Sequence, residues 1–138
     1  MKQAIMFGAG SIGRGFIGAL LEKAGWHVTF ADVVESIIQE INTRRHYTVH
    51  ILDRECGEME IENISAINSG TDEIIPAIAE CDLIATAVGP LVAPVIARPI
   101  AAGIQARMRD GNHSPLNIVC CENGLRTTTR LKGFVFEH

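Results

Sequence analysis

The sequence of 138 residues lacks any run of about eighteen consecutive apolar residues, so it offers no membrane span although 47% of its residues are hydrophobic. It also lacks a basic excess. Twelve Lys and Arg against sixteen Asp and Glu leave a formal charge of −4, which argues against the basic face that nucleic-acid binding needs. No secretory leader is expected at the N-terminus: Lys2 is the only charge before the first apolar run, glycines interrupt that run, and no small-residue cleavage pattern follows. Cysteine is sparse. Cys56, Cys81, Cys120 and Cys121 show neither CxxC spacing nor the density of a disulfide-stapled domain, and read as reduced thiols of a cytoplasmic protein. Adjacent Cys120 and Cys121 would point to opposite faces of a strand, making one of them a small core residue. The five histidines are scattered and form no metal set with acids or cysteines. These absences leave a globular domain, and the length fits a single one with a sizeable core.

Glycine, by contrast, is placed with a pattern. Gly8-Ala9-Gly10-Ser11-Ile12-Gly13 follows the strand-like Gln3–Phe7 and opens a helical repeat of Phe16, Ile17, Leu20, Leu21 and Ala24, with Gly25 as its stop. Gly-x-Gly-x-x-Gly between strand and helix reads as a dinucleotide pyrophosphate site. The first glycine turns the chain, the second lets the backbone approach the pyrophosphate, and the third lets the helix pack against the sheet. The helix N-terminus then offers unpaired N–H groups and the positive dipole end to the anion.

A second strand, His27–Ala31, ends at Asp32, nineteen residues past Gly13, where this fold places an acid that accepts hydrogen bonds from the adenosine ribose. A carboxylate there repels a 2′-phosphate, and Val33, Val34 and Glu35 supply no arginine to hold one, so the expected cofactor is NAD rather than NADP. Capping of the helix that starts near Val34 is a compatible second role for Asp32.

Strands and helices alternate along the rest of the chain. The expected fold is α/β, a Rossmann-type doubly wound and mainly parallel sheet with helices on both faces and a small inserted β-hairpin. The helices are expected at Ser11–Ala24, Val34–Arg44, Asp72–Ala79, Leu91–Arg109 and from about Gly124 onward; further strands are expected at Leu83–Val88 and Leu116–Cys121. Period-two patterning in Tyr47–Ile51 and Met59–Ile61, around the polar Asp53-Arg54-Glu55-Cys56-Gly57, predicts the hairpin. Ser65–Asn68 is expected as a third parallel strand or its edge, and Pro99 is expected to kink or interrupt its helix. Arg44-Arg45-His46 reads as a solvated helix end.

Two more loops follow strands, at the end where open α/β sheets bind ligands. Thr86-Ala87-Val88-Gly89-Pro90 offers small residues and backbone groups, although a plain strand-to-helix turn explains that composition equally well. Cys121-Glu122-Asn123-Gly124 offers a carboxylate and an amide that could orient a carboxamide or a substrate hydroxyl; helix capping by Asn123 is the alternative.

Phe7-Gly8-Ala9-Gly10-Ser11-Ile12-Gly13-Arg14-Gly15-Phe16-Ile17-Gly18, Phe30-Ala31-Asp32-Val33, Thr86-Ala87-Val88-Gly89-Pro90 and Ser114-Pro115-Leu116-Asn117-Ile118-Val119-Cys120-Cys121-Glu122-Asn123 resemble the N-terminal domain of the long-chain polyol (mannitol) dehydrogenase family over almost the whole chain. The resemblance implies NAD(H) as cofactor. It places Ala4, Ile5, Met6, Phe7, Gly8, Ala9, Gly10, Ser11, Ile12, Gly13, Arg14 and Gly15 around the pyrophosphate, Asp32 at the ribose, and Val88, Gly89 and Asn123 near the nicotinamide. It further implies hydride transfer between D-mannitol 1-phosphate and D-fructose 6-phosphate in a bacterial cytoplasm, while charge and hydropathy point to no nucleic-acid or membrane partner. Related members act on unphosphorylated polyols or hexuronates, and a non-catalytic NAD-sensing module is a further alternative. The family's catalytic signature is a Lys, an Asn five residues on and a His three beyond that, carried by a second, helical domain. Only Lys2, Lys23 and Lys132 are present, and five residues past Lys132 stands Glu137. The expectation is therefore a fragment, the cofactor half of a longer enzyme, with no catalytic residue of its own.

Overall fold

The computed structural model describes residues 1–52 and 56–138; the expected turn residues 53–55 of the hairpin lie outside the described residues. β1 (Gln3–Phe7) leads into a π-helical segment (Gly13–Gly18) that continues as α1 (Ala19–Lys23). There follow β2 (His27–Asp32), α2 (Glu35–Arg44), β3 (Tyr47–Ile51), β4 (Gly57–Ile61), β5 (Ile64–Asn68), α3 (Ile74–Glu80), β6 (Leu83–Thr86), α4 (Ala93–Arg109), β7 (Asn117–Cys120) and α5 (Thr127–Phe136). The main sheet is parallel throughout in the order β5-β2-β1-β6-β7, while β3 and β4 pair antiparallel as a separate hairpin. The α/β sandwich expected from the alternation is thus what forms, and Ile64–Asn68 is its parallel edge strand.

Strand order reverses between β1 and β6, which makes the space beyond their carboxyl ends the switch point where such sheets bind ligands. Register aligns what lies there. Phe7 is opposite Ala31 on one side and Thr86 on the other, and Thr86 is opposite Cys120, so Gly8, Asp32, Ala87 and Cys121 leave the sheet at one level.

Period-two alternation along β1 divides the core. Ile5 and Phe7 face α3, α4 and α5 through Ile74, Ile78, Ile96, Ile100 and Leu131; Met6 faces Ala19, Ile41 and the hairpin's Ile61 on the other side. Cys120 packs against the first cluster and Cys121 against the second, on opposite faces as their adjacency required.

Three expectations are corrected. The helix after the glycine turn is not uniformly α-helical, because Gly13–Gly18 winds as a π segment. A Cβ on Gly18 would stand 2.5 Å from the Gly13 carbonyl oxygen and 2.6 Å from the Phe30 ring, so close approach of this segment to β2 depends on glycine. Pro99 does not interrupt its helix: α4 runs unbroken from Ala93 to Arg109. The carbonyl deprived of a partner there is that of Val95, an exposed residue, while neighbouring Ile96, Ala97 and Ile100 are buried against the sheet and hold the helix in place. The last helix starts at Thr127 rather than near Gly124. Arg126 caps it in the left-handed conformation, φ 53°, so Asn123 is not the capping residue.

The Arg44-Arg45-His46 cluster is a helix end, as its composition suggested. Arg44 pairs with Glu40 one turn back at 3.3 Å and Arg45 caps α2 at φ 60°. No helix among the described residues is long and apolar enough to cross a membrane.

Candidate functional site

The glycine turn is built from three glycines with three different physical duties. Gly8 has φ +97° and donates to the Ala31 carbonyl at 2.9 Å; a Cβ on it would stand 2.5 Å from the Ala87 carbonyl oxygen. At Gly13, a Cβ would collide with the Gly8 carbonyl oxygen. Gly10 differs from both. Its φ lies outside the left-handed region, and an added Cβ would meet no protein atom within 4 Å. Neither the fold nor the backbone conformation demands glycine at position 10, so its missing side chain keeps space open beside the turn.

That space is a cleft of about 290 Å³ whose walls include Phe7, Gly8, Gly10, Asp32 and Val88. The first helical hydrogen bond runs from Arg14 N to the Gly10 carbonyl at 2.9 Å, so the amides of Ser11, Ile12 and Gly13 precede the helical ladder and are left for water or a ligand.

Asp32 closes the other side of the cleft. Its Oδ1 accepts from the backbone amides of Val33 at 2.7 Å and Val34 at 3.0 Å, and its Oδ2 accepts from the amide of Ala9 at 2.8 Å. The carboxylate therefore ties the end of β2 to the glycine turn. Of the roughly four acceptor positions on a carboxylate, three are engaged and one remains for a ligand hydroxyl.

A second cleft of about 270 Å³ adjoins the first through Ala87 and is lined by Ile12, Gly89, Glu122, Asn123, Thr127 and Arg130 among others. Gly89 sits at φ +81°, which only glycine adopts without strain, and its carbonyl accepts from the amides at the start of α4. Glu122 turns inward. Its Oε2 accepts from the Thr86 hydroxyl at 3.0 Å and its Oε1 from the Val88 amide at 3.2 Å. Burial pushes the Cys121 thiol above its ordinary range, and Glu122 and Cys120 add in the same direction, so this thiol stays protonated at neutral pH.

The structure thus gathers Phe7, Gly8, Gly10, Asp32 and Val88 on one cleft and Ile12, Gly89 and Asn123 on the next. Ala9 is buried with its amide on Asp32, and Ser11 is exposed at the helix start. Ala4, Ile5 and Met6 are core residues of β1 that line neither cleft; they fix the strand from which Gly8 departs. Arg14 and Gly15 line neither cleft as well. The Arg14 carbonyl accepts from the Tyr47 hydroxyl at 2.6 Å, and burial raises that phenol's pKa so that it remains a donor; this bond docks the hairpin on the helix. Thr127 and Arg130 escaped the sequence reading. Their three-residue spacing on the helix after a strand-end loop was the available signal. A larger apolar groove between α4, β7 and α5 holds none of the expected site residues.

Glycine turn, terminal acid and switch-point cleft together define a dinucleotide-binding domain of the Rossmann type. Residues 2–138 match the family model described as the mannitol dehydrogenase Rossmann domain, and the chain belongs to that family, a family of dehydrogenase domains. Solved structures agree on the fold. An Enterococcus faecalis protein assigned as a 2-dehydropantoate 2-reductase aligns with TM-score 0.66 at 22% identity, over 97% of this chain and 37% of its own. An octopine dehydrogenase solved with NADH and L-arginine aligns with TM-score 0.68 at 12% identity, over 98% of this chain and 32% of its own. A Rossmann-fold NAD(P)-binding family protein from Shigella flexneri aligns with TM-score 0.54 at 16% identity, over 96% and 60%. The chain therefore spans about a third of the length of the first two.

Proposed function

We propose that the chain is the NAD(H)-binding domain of a mannitol-1-phosphate 5-dehydrogenase, a cytoplasmic enzyme interconverting D-mannitol 1-phosphate and D-fructose 6-phosphate. The observation that carries the cofactor half of this reading is the unfilled space at Gly10, in the same cleft as the Asp32 carboxylate. A pyrophosphate needs a backbone without a side chain, and the ribose attached to it needs an acceptor beside that turn; the cleft offers both. The residues fit the cofactor. The glycine turn and the free amides after Gly10 would hold the pyrophosphate, and the remaining acceptor position of Asp32 would take a ribose hydroxyl. Val88, Gly89 and Asn123 would border the nicotinamide. NAD supplies the hydride chemistry when bound, and the protein supplies orientation and a base. The base lies outside residues 1–138 in this reading, because the Lys, Asn and His spacing of the family is not met. The polyol-phosphate assignment is supported by the four segments quoted above and by membership of the family.

Calorimetric titration tests the cofactor. NAD is expected to bind at least about tenfold more tightly than NADP, because a 2′-phosphate would face the Asp32 carboxylate with no cation in Val33, Val34 or Glu35. Equal affinity, or preference for NADP, sinks the assignment of Asp32. A second expected result concerns turnover. Purified chain 1–138 should bind NAD but not reduce it with mannitol 1-phosphate, and measurable reduction would place the base among these residues after all.

A further inference from the structure

Glu122 carries a charge into the cleft yet spends both oxygens on its own protein. The Thr86 hydroxyl that it holds belongs to a side chain with no exposed surface at the last residue of β6. The Val88 amide that it holds belongs to the loop two residues further on. The backbone beneath Glu122 is fixed as well, since the Cys121 amide donates to the Thr86 carbonyl at 2.8 Å and continues the β6–β7 pairing by one residue. Glu122 therefore braces the loop Ala87-Val88-Gly89 from the β7 side. On the β1 side the same loop is held by the Ala87 amide, which donates to the Phe7 carbonyl at 2.8 Å.

The glycine turn has separate supports. Gly8 is held by the Ala31 carbonyl and Ala9 by Asp32, and neither is a hydrogen-bond partner of Glu122. Two carboxylates on opposite sides of the switch point thus each anchor the backbone of a different loop, Asp32 that of the pyrophosphate turn and Glu122 that of the β6 loop. Hydrogen bonds to a charged acceptor are stronger than neutral ones, and among the described residues the Val88 amide has no other hydrogen-bond partner to fall back on.

We infer that Glu122 is a positioning residue for the nicotinamide half of the cofactor, acting through Val88 and Thr86, and that the adenosine and pyrophosphate half, whose turn has its own anchors although Val88 also walls its cleft, depends on it far less. This rests on the NAD(H) reading above. ADP-ribose separates the two halves, because it keeps the adenosine, pyrophosphate and second ribose of the dinucleotide but lacks the nicotinamide ring.

The experiment measures the affinities of NADH and ADP-ribose for chain 1–138 and its variants by calorimetry, with thermal unfolding recorded on the same samples. Glu122→Ala is expected to weaken NADH about tenfold or more while leaving ADP-ribose within about twofold. Glu122→Gln is expected to restore most of the NADH affinity, since its amide oxygen can accept from Val88 and its NH₂ can donate to the Thr86 oxygen. Should Glu122→Ala fail to fold, Thr86→Val, which removes one hydroxyl at nearly constant volume, is expected to show the same selective loss at smaller size. Parallel losses for both ligands in the folded variants mark a general structural role and overturn the inference, as does unchanged NADH affinity. Wild-type chain that binds neither ligand overturns the dinucleotide reading, and this inference with it. Wild-type binding of both, with no selective loss, overturns the Glu122 assignment alone.

Discussion

Gly10→Val should lower NAD affinity by at least about a hundredfold while leaving the unfolding midpoint within a few degrees of the wild type. The magnitude follows from what the side chain displaces. Hydrogen bonds from backbone amides to a charged phosphate are worth about 1.5–3 kcal/mol each, and a branched side chain beside the turn removes at least two of them together. The folded state has little reason to object, because a Cβ at Gly10 meets no protein atom within 4 Å and the backbone there is not left-handed. Gly13→Val is the opposite case. Its Cβ would strike the Gly8 carbonyl oxygen, a backbone atom that cannot rotate away, so the expected loss is stability, more than about 3 kcal/mol, with binding lost only through unfolding. Calorimetry with NAD and urea denaturation of both variants separate the two. Undiminished NAD affinity in Gly10→Val would remove the pyrophosphate from this turn, and a Gly13→Val chain as stable as wild type would disprove the packing role of the third glycine.

The same contrast shows why part of the site could be read in advance. Gly8, Gly10 and Gly13 form a local pattern whose spacing encodes a turn, a gap and a helix contact, and Asp32 falls at a distance set by one helix and one strand. The period-two and helical patterns placed every strand of the main sheet for a related reason, since burial on two faces leaves a local imprint. What escaped depends on neighbours far along the chain. The seat of Gly18 in the π segment answers to the Phe30 ring that a Cβ there would strike, and continuity of α4 through Pro99 answers to burial of Ile96, Ala97 and Ile100 against the sheet. Glu122 looked like a ligand group from its place after a strand, whereas its oxygens are taken by Thr86 and Val88, 36 and 34 residues away in sequence.

Arg107 is the extreme of such nonlocal roles, and its truncation should cost stability on the scale of deleting a large core side chain. In sequence it is one of two arginines in the last turn of α4, a position that ordinarily means a solvated charge near a helix C-terminus. In the structure it is 4% exposed. Its Nη1 donates to the carbonyls of Ala79 at 2.9 Å and Cys81 at 2.8 Å, and its Nη2 and Nε donate to the Ser114 carbonyl at 3.1 and 3.3 Å. Among the described residues it has no ion-pair partner, so carbonyl dipoles alone compensate its charge. Two of those carbonyls lie at the C-terminal end of α3, where the last acceptors of a helix lack partners and the dipole is negative. One guanidinium thereby joins the ends of α3 and α4 to the segment entering β7. The neighbouring Cys81 shows how dry the site is. Burial pushes its thiol up to about 11, a shift that the adjacent guanidinium opposes without reversing.

Arg107→Ala leaves the Cys81 and Ser114 carbonyls without a donor, leaves Ala79 only the Asn112 side-chain amide at 3.3 Å, and opens a void where the side chain lay; the expected loss is about 3 kcal/mol, equivalent to about 10 °C in unfolding midpoint for a domain of this size. Arg107→Lys should recover less than half of that, because a single ammonium cannot span the carbonyls that the planar fork reaches together. NAD affinity of the folded fraction should be unchanged, since Arg107 lines neither cleft of the site. Urea denaturation of the two variants decides the matter: a loss below about 1 kcal/mol for Arg107→Ala, or full rescue by lysine, would mean that the fork geometry contributes little and that water replaces the arginine at these carbonyls.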